Sequence, residues 1–226
     1  MIPANADTQT ANREVTTEIQ QQIALAVDGL IDSLPSPERL SAEQRRGIIA
    51  RYTAVLEGNF IYWMTGALLA VQSSEARAII LENLHDEVRD CHPGMLRRFA
   101  IAARSIPTDV DSIAVSRDLT NVRLFIGRLS AVHTVVTMAF FEGFIQKFMA
   151  FLAELAAAQG SSEFEYTDVH GICDVAHSQE LFHALDAEMA ADPIELNAGL
   201  FEGVGLLSAL IQSIVHGARS QAEQAA

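Results

Sequence analysis

The sequence contains few cysteines and few basic residues, and each shortage excludes a class of protein. Cys91 and Cys173 are the two cysteines among 226 residues, too few for a disulfide framework and typical of a reducing cytoplasm. The chain has 15 Lys and Arg against 29 Asp and Glu, a formal net charge of −14. Because an acidic surface repels phosphate groups and anionic lipid, we expect neither nucleic acid nor a membrane as a partner.

Long uncharged runs are also missing. The two longest, 58–74 and 203–218, are shorter than the roughly 20 apolar residues of a membrane-spanning helix. Residues 1–13 lack the apolar stretch of a signal peptide. No linker rich in Pro, Gly or Ser divides the middle of the chain. We therefore expect a soluble, cytoplasmic, single-domain protein.

What the sequence does have is helical periodicity, interrupted by six prolines and with almost no alternating strand pattern. This pattern predicts an all-α fold, a single compact bundle of about seven helices over 12–219, between flexible termini at 1–11 and 220–226. The predicted helices are 12–33, 41–71, 74–91, a short one ending before Pro107, 117–159 with a bend near Gly127, 165–190, and 194–218 with Asp192 as N-cap.

Three groups of residues could carry chemistry. His170, Asp174 and His177 project at 0°, about +40° and about −20° around one helix, so three potential metal ligands face one point. Glu142 lies within an apolar stretch, where a buried carboxylate needs a partner or a metal. The segment 82–93 is dense in His, Asp and Glu. The alternative for His170, Asp174 and His177 is a solvated helix face. For Glu142 it is an ion pair with Arg123 or Arg128, and for 82–93 it is an exposed helix end.

Taken in their order along the chain, the three groups resemble the haem-oxygenase-like diiron oxidases and oxygenases, also known as iron-containing redox enzymes. The resemblance rests on Asn83 to Glu87 followed by His92-Pro93, on Glu142 in its apolar helix, and on His-x3-Asp-x2-His at 170–177. It covers about residues 50–190. It implies two Fe2+ ions held by Glu87, His92, Glu142, His170, Asp174 and His177, with O2 as co-substrate.

One departure concerns the gap between Glu87 and His92. Five residues on a regular helix would splay the two side chains by about 140°. We expect Pro93 to break the helix before it and so relieve this divergence. His85 is the reserve ligand, and Glu57 is an occasional or supporting ligand.

The resemblance also implies an activity. We expect N-oxygenation, desaturation or oxidative C–C or C–N cleavage of a small amino-acid-like or fatty-acid-like substrate, with an external electron donor and a homodimer as candidate partners. Tyr166, one turn before His170, is the candidate catalytic residue. Tyr62, Trp63 and Lys147 are candidate lining residues of the substrate pocket, with core packing as the alternative for the two aromatics. The alternatives are a metal-free oxidase or thiaminase-like or binding protein on the same helical fold, and a helical interaction protein without enzymatic activity.

Overall fold

The computed structural model describes the backbone of residues 6–217 and the side chains of residues 14–217 except 174 and 175. Its described part is all-α and contains no strand, as predicted. The helices are α1 (Ala6–Asp32), α2 (Ala42–Ala70), α3 (Ser74–Arg89), α4 (His92–Ala102), α5 (Asp109–Ile126), α6 (Ala131–Ala158), α7 (Glu165–Ala191) and α8 (Glu202–His216), with short 3-10 turns at Pro37–Arg39 and Ala198–Phe201.

Local caps explain where several helices begin. The Ser41 hydroxyl accepts the backbone N–H of Gln44, and the Gln44 side chain accepts the N–H of Ser41, so a capping box starts α2. Thr108 and Asp111 form a second capping box at the start of α5. Ser73 accepts two N–H groups at the start of α3. These caps satisfy donors that have no partner inside the helix.

Three predicted boundaries are wrong. α1 starts at Ala6 rather than at residue 12. The predicted helix 117–159 is two helices, because the Thr108 cap starts α5 earlier and the chain turns at 127–130, where Leu129 has φ 53°. The predicted helix 194–218 starts at Glu202: Asp192 ends α7, and Asn197 instead caps a 3-10 turn. The predicted flexible segment 220–226 and residues 1–5 lie outside the described residues.

α6 forms the centre of the bundle and contacts α1, α2, α7 and α8, while α3 and α4 pack on α2 and α7.

Two segments, Ala131–Ala158 and Ala198–His216, are long and apolar enough to cross a membrane by length and composition alone. Ala131–Ala158 is not one of the two long uncharged runs considered from the sequence. The apolar part of Ala131–Ala158 is 78% buried inside the protein, as expected for the core helix of a soluble fold.

Candidate metal centre

A cavity lies between α2, α4, α6 and α7 and is also lined by Glu87, near the end of α3. Its volume, taken as the space open to the centre of a water molecule, is about 20 Å3, and it opens to solvent. Apolar and aromatic side chains form most of its wall, and potential metal ligands from four helices reach it. The lining residues are Tyr52, Leu56, Phe60, Ile61, Glu87, His92, Pro93, Leu96, Phe141, Glu142, Ile145, Tyr166 and His170.

Three predicted ligands meet at this cavity. Ligand atoms of Glu87, His92 and His170 all lie within 4.8 Å of one another, and all three side chains are buried. His92 Nδ1 is 2.7 Å from Glu87 Oε1, and the two imidazole rings are 4.5 Å apart between centroids. Two imidazoles and one carboxylate form a donor set suited to iron, manganese or zinc.

A helix break brings Glu87 and His92 together. α3 ends at Arg89, Cys91 takes a left-handed conformation with φ 56°, and His92 is the first residue of α4. The two side chains therefore belong to different helices, and the divergence expected on one regular helix does not arise. The position of Pro93 in the first turn of α4 is also favourable, because its missing N–H would have no helical partner there.

His170 is held in one tautomer. Its Nδ1 donates a hydrogen bond to the carbonyl oxygen of Tyr166 at 2.8 Å, so Nε2 carries the lone pair. Burial, followed by the charge of nearby His92, lowers the pKa of His170 to about 4, although Glu87 acts in the opposite direction. The ring is therefore neutral at pH 7, the state that binds a metal ion.

Glu142 lies on α6 with 3% of its surface exposed and lines the same cavity. The arginines considered as its partners from the sequence bind elsewhere. Arg123 donates to the side-chain oxygen of Asn59, and Arg128 pairs with Glu202. The position of Glu142 thus agrees with a site carboxylate, and the structure shows no ion pair between Glu142 and either of these two arginines.

His177 is two turns beyond His170 on α7 and is also buried. Its Nε2 is 3.6 Å from Oδ2 of Asp86. Asp86 belongs to the motif 83–87 but carries no role in the sequence prediction. The side chain of Asp174 lies outside the described residues, so its predicted role as a ligand stays a prediction.

Tyr166 also reaches the cavity, where its hydroxyl is 2.7 Å from the hydroxyl of Tyr52. The Tyr166 ring packs against the His170 ring at 4.2 Å between centroids. Both tyrosines are at least 96% buried. Tyr52 has no local sequence signal for this position, since 114 residues separate it from Tyr166.

The secondary candidates lie away from this group. His85 is 60% exposed beside Glu82, and Glu57 pairs with Arg97. Lys147 is exposed and pairs with Asp28, and Tyr62 is 47% exposed, so neither lines the cavity. Trp63 is fully buried behind the wall, edge-on to Phe141. These contacts correct the expected lining roles of Lys147 and Tyr62, agree with core packing as the alternative for Trp63, and give His85 and Glu57 no contact with the group.

Comparison with protein families agrees with the composition of the site. The family model for iron-containing redox enzymes matches residues 49–210. The chain belongs to this family. A comparison with curated proteins gave no significant match.

The matched span includes every residue that lines the cavity. Because the family consists of iron-containing redox enzymes, the protein is an oxidoreductase. The match also confirms the resemblance inferred from the motifs at 83–93, 142 and 170–177. The buried group of Glu87, His92 and His170 has the donors and the spacing to hold a metal ion, and iron is among the metals that such a donor set suits.

Proposed function

We propose that the protein is a non-haem diiron enzyme that activates O2 to oxidise a small organic substrate bound in the cavity. The observation that supports this most strongly is the buried group of Glu87, His92 and His170 in the wall of a largely apolar cavity. When bound, two ferrous ions supply the electrons that reduce O2 to a species able to attack C–H or N–H bonds.

The donor spacing fits a metal ion. Glu87, His92 and His170 would hold one of the ions, since their ligand atoms all lie within 4.8 Å of one another and the Glu87–His92 contact is 2.7 Å. Glu142 on the same cavity wall can complete this set.

A second set supports a second ion. His177 and Asp86 lie next to each other, and Asp174 is on the same helix face as His177 by its spacing. Asn83, one turn before Glu87, is 1% exposed, and neither atom of its amide has a hydrogen-bond partner among the described residues. A buried amide of this kind needs a partner, which a hydrated metal site can supply.

The residues around the ions orient and shield them. The Tyr166 carbonyl keeps the proton on His170 Nδ1, and the apolar wall excludes bulk water, which limits side reactions of an oxidant. We propose N-oxygenation, desaturation or oxidative C–C or C–N cleavage as the reaction, with an external electron donor. We also propose a cytoplasmic location and a homodimer.

Anaerobic titration with Fe2+ tests this function. The unaltered protein should bind two equivalents and then consume O2. Glu142→Gln and Asp174→Asn should each lose at least one equivalent, because each removes an anionic ligand. Glu154→Gln, on an exposed part of α6, is the matched control and should keep both. One equivalent in the unaltered protein would indicate a mononuclear site, and none would favour a metal-free function.

A further inference from the structure

We propose that the exposed face of α5 is the surface on which two copies of this chain associate, with the two α5 helices antiparallel and a two-fold axis at Ile113. This surface gives the homodimer proposed above its contact, and it rests on the proposed function in that respect alone. It does not depend on iron or O2, because none of the described residues that line the cavity belongs to α5.

The outward face of α5 carries several apolar side chains. Val110, Ile113 and Leu124 are 76%, 71% and 67% exposed, and they project within about 60° of one another around the helix. Ile106, just before the helix, is also more than half exposed. Single exposed apolar residues are ordinary on a protein surface, but several on one helix face mark a surface that another molecule covers.

The charges on this face differ from those of the chain as a whole. The chain carries 29 acidic and 15 basic residues, whereas the exposed positions of α5 carry one acid, Asp109, and two bases, Arg117 and Arg123. Two copies repel each other through their net negative charge. A face without an excess of acidic residues lowers this repulsion at the point of contact, which favours a second copy as the partner.

Asp109 and Arg117 make the face complementary to itself. They lie one turn before and one turn after Ile113, on the same side of the helix. In an antiparallel pair with the two-fold axis at Ile113, Asp109 of each copy lies opposite Arg117 of the other, and the two Ile113 side chains meet. Within the described part of the chain neither Asp109 nor Arg117 forms an ion pair, whereas the exposed Arg128 is paired with a glutamate.

The size of the face sets the expected strength of the dimer. α5 has 18 residues, so it is about 27 Å long and about 10 Å wide with its side chains. One pair of helices of this size buries less than the roughly 1,600 Å2 of a standard interface. Contacts at the small end of the range are typically weak, and we therefore expect a dissociation constant in the micromolar range.

Sedimentation velocity of the full chain, at concentrations from about 1 µM to about 300 µM, tests the dimer. The unaltered protein should change from monomer to dimer over this range. Ile113→Asp places two carboxylates at the axis and should weaken association at least tenfold. Leu25→Asp adds the same charge at a side chain of α1 that is 73% exposed; it is the matched control and should leave the dimer unchanged.

Two charge variants test the antiparallel contact. Asp109→Arg and Arg117→Glu each place like charges opposite each other at both symmetric contacts, and each should weaken association about threefold. We expect this loss for Asp109→Arg even though it lowers the net negative charge of the chain. An equimolar mixture of the two variants restores opposite charges at both contacts, so the mixed dimer should form with about the affinity of the unaltered protein.

A monomer at every concentration would overturn the proposal. A dimer that Ile113→Asp leaves intact, or that Leu25→Asp weakens as much, would also overturn it. A mixture of the charge variants that associates no better than either variant alone would overturn the antiparallel contact. Far-UV circular dichroism checks that each variant keeps its helices.

Fe2+ titration separates this dimer from the proposed chemistry. Ile113→Asp should bind as many equivalents of iron as the unaltered protein, because α5 lies outside the cavity. A dimer that binds no iron would contradict the proposed function alone. A monomer that binds two equivalents would contradict the α5 dimer alone.

Discussion

The charge state of His170 decides whether this side chain can bind a cation, because only a neutral imidazole offers a lone pair. Its ring lies against Tyr166 and His92. Burial disfavours the protonated ring more than the Glu87 carboxylate favours it. The folded protein therefore keeps the His170 ring neutral at pH values at which an exposed histidine would take up a proton.

This shift predicts a loss of stability in mild acid. Between about pH 6.5 and pH 4 the unfolded chain binds the proton on His170 and the folded protein does not. The free energy of unfolding should therefore decrease as the pH falls through this range, by up to about 3 kcal/mol. Urea unfolding of metal-free protein at several pH values measures it.

His170→Asn removes this titration and should flatten the pH dependence. His183→Asn alters an exposed histidine and should leave it as in the unaltered protein. An identical slope in the unaltered and His170→Asn proteins would show that His170 does not carry the effect.

At the scale of elements, a carboxylate of α7 holds the start of α3. Oε1 of Glu188, which is 2% exposed, accepts the backbone N–H groups of Gln72 at 2.9 Å and Ser73 at 2.6 Å. Because α3 carries Glu87 and α7 carries His170, this anchor also connects two of the four helices that contribute to the site. The sequence separation of 116 residues makes the contact invisible to local patterns.

Glu188→Ala should destabilise the protein by about 2 kcal/mol, since it leaves two N–H groups without their acceptor. Glu188→Gln keeps an oxygen in place and should cost less. Glu154→Ala, at an exposed position, is the control for removing a carboxylate from a helix. Chemical denaturation of the three variants gives the comparison, and equal stabilities for Glu188→Ala and Glu154→Ala would contradict the anchoring role.

At the scale of the whole molecule, the excess of acidic residues acts against the compact state. With 29 acidic and 15 basic residues, folding brings like charges closer together. The exposed ion pairs, such as Arg128–Glu202, contribute little each in water. Net repulsion should therefore outweigh the surface pairs.

Raising NaCl from about 0.01 M to 0.3 M should increase the Tm of the metal-free protein by a few degrees, because the screening length falls from about 30 Å to less than 10 Å. KCl should act in the same way, since screening depends on ionic strength. A lower Tm at the higher salt concentration would mean that the ion pairs dominate. Calorimetry in the two salts measures the effect.

The sequence alone determined much of the helical layout, because capping and periodicity act within one or two turns. The Ser41–Gln44 box located the start of α2, and Pro93 marked the break between α3 and α4. The same local rules predicted the stripe at 170–177 and the inward side of Glu142. The turn at 127–130 and the late start of α8 were missed, since their signals are weak beside the apolar runs around them.

Only the tertiary structure decided which of these faces meet. It placed Glu87, His92 and His170 together, put Tyr52 beside Tyr166, and left His85 and Lys147 exposed. Contacts between residues far apart in the chain depend on how whole helices pack, and packing is set by many apolar side chains at once. No local pattern carries that information, so the pairing of the two phenols and the shape of the cavity became visible only in the folded chain.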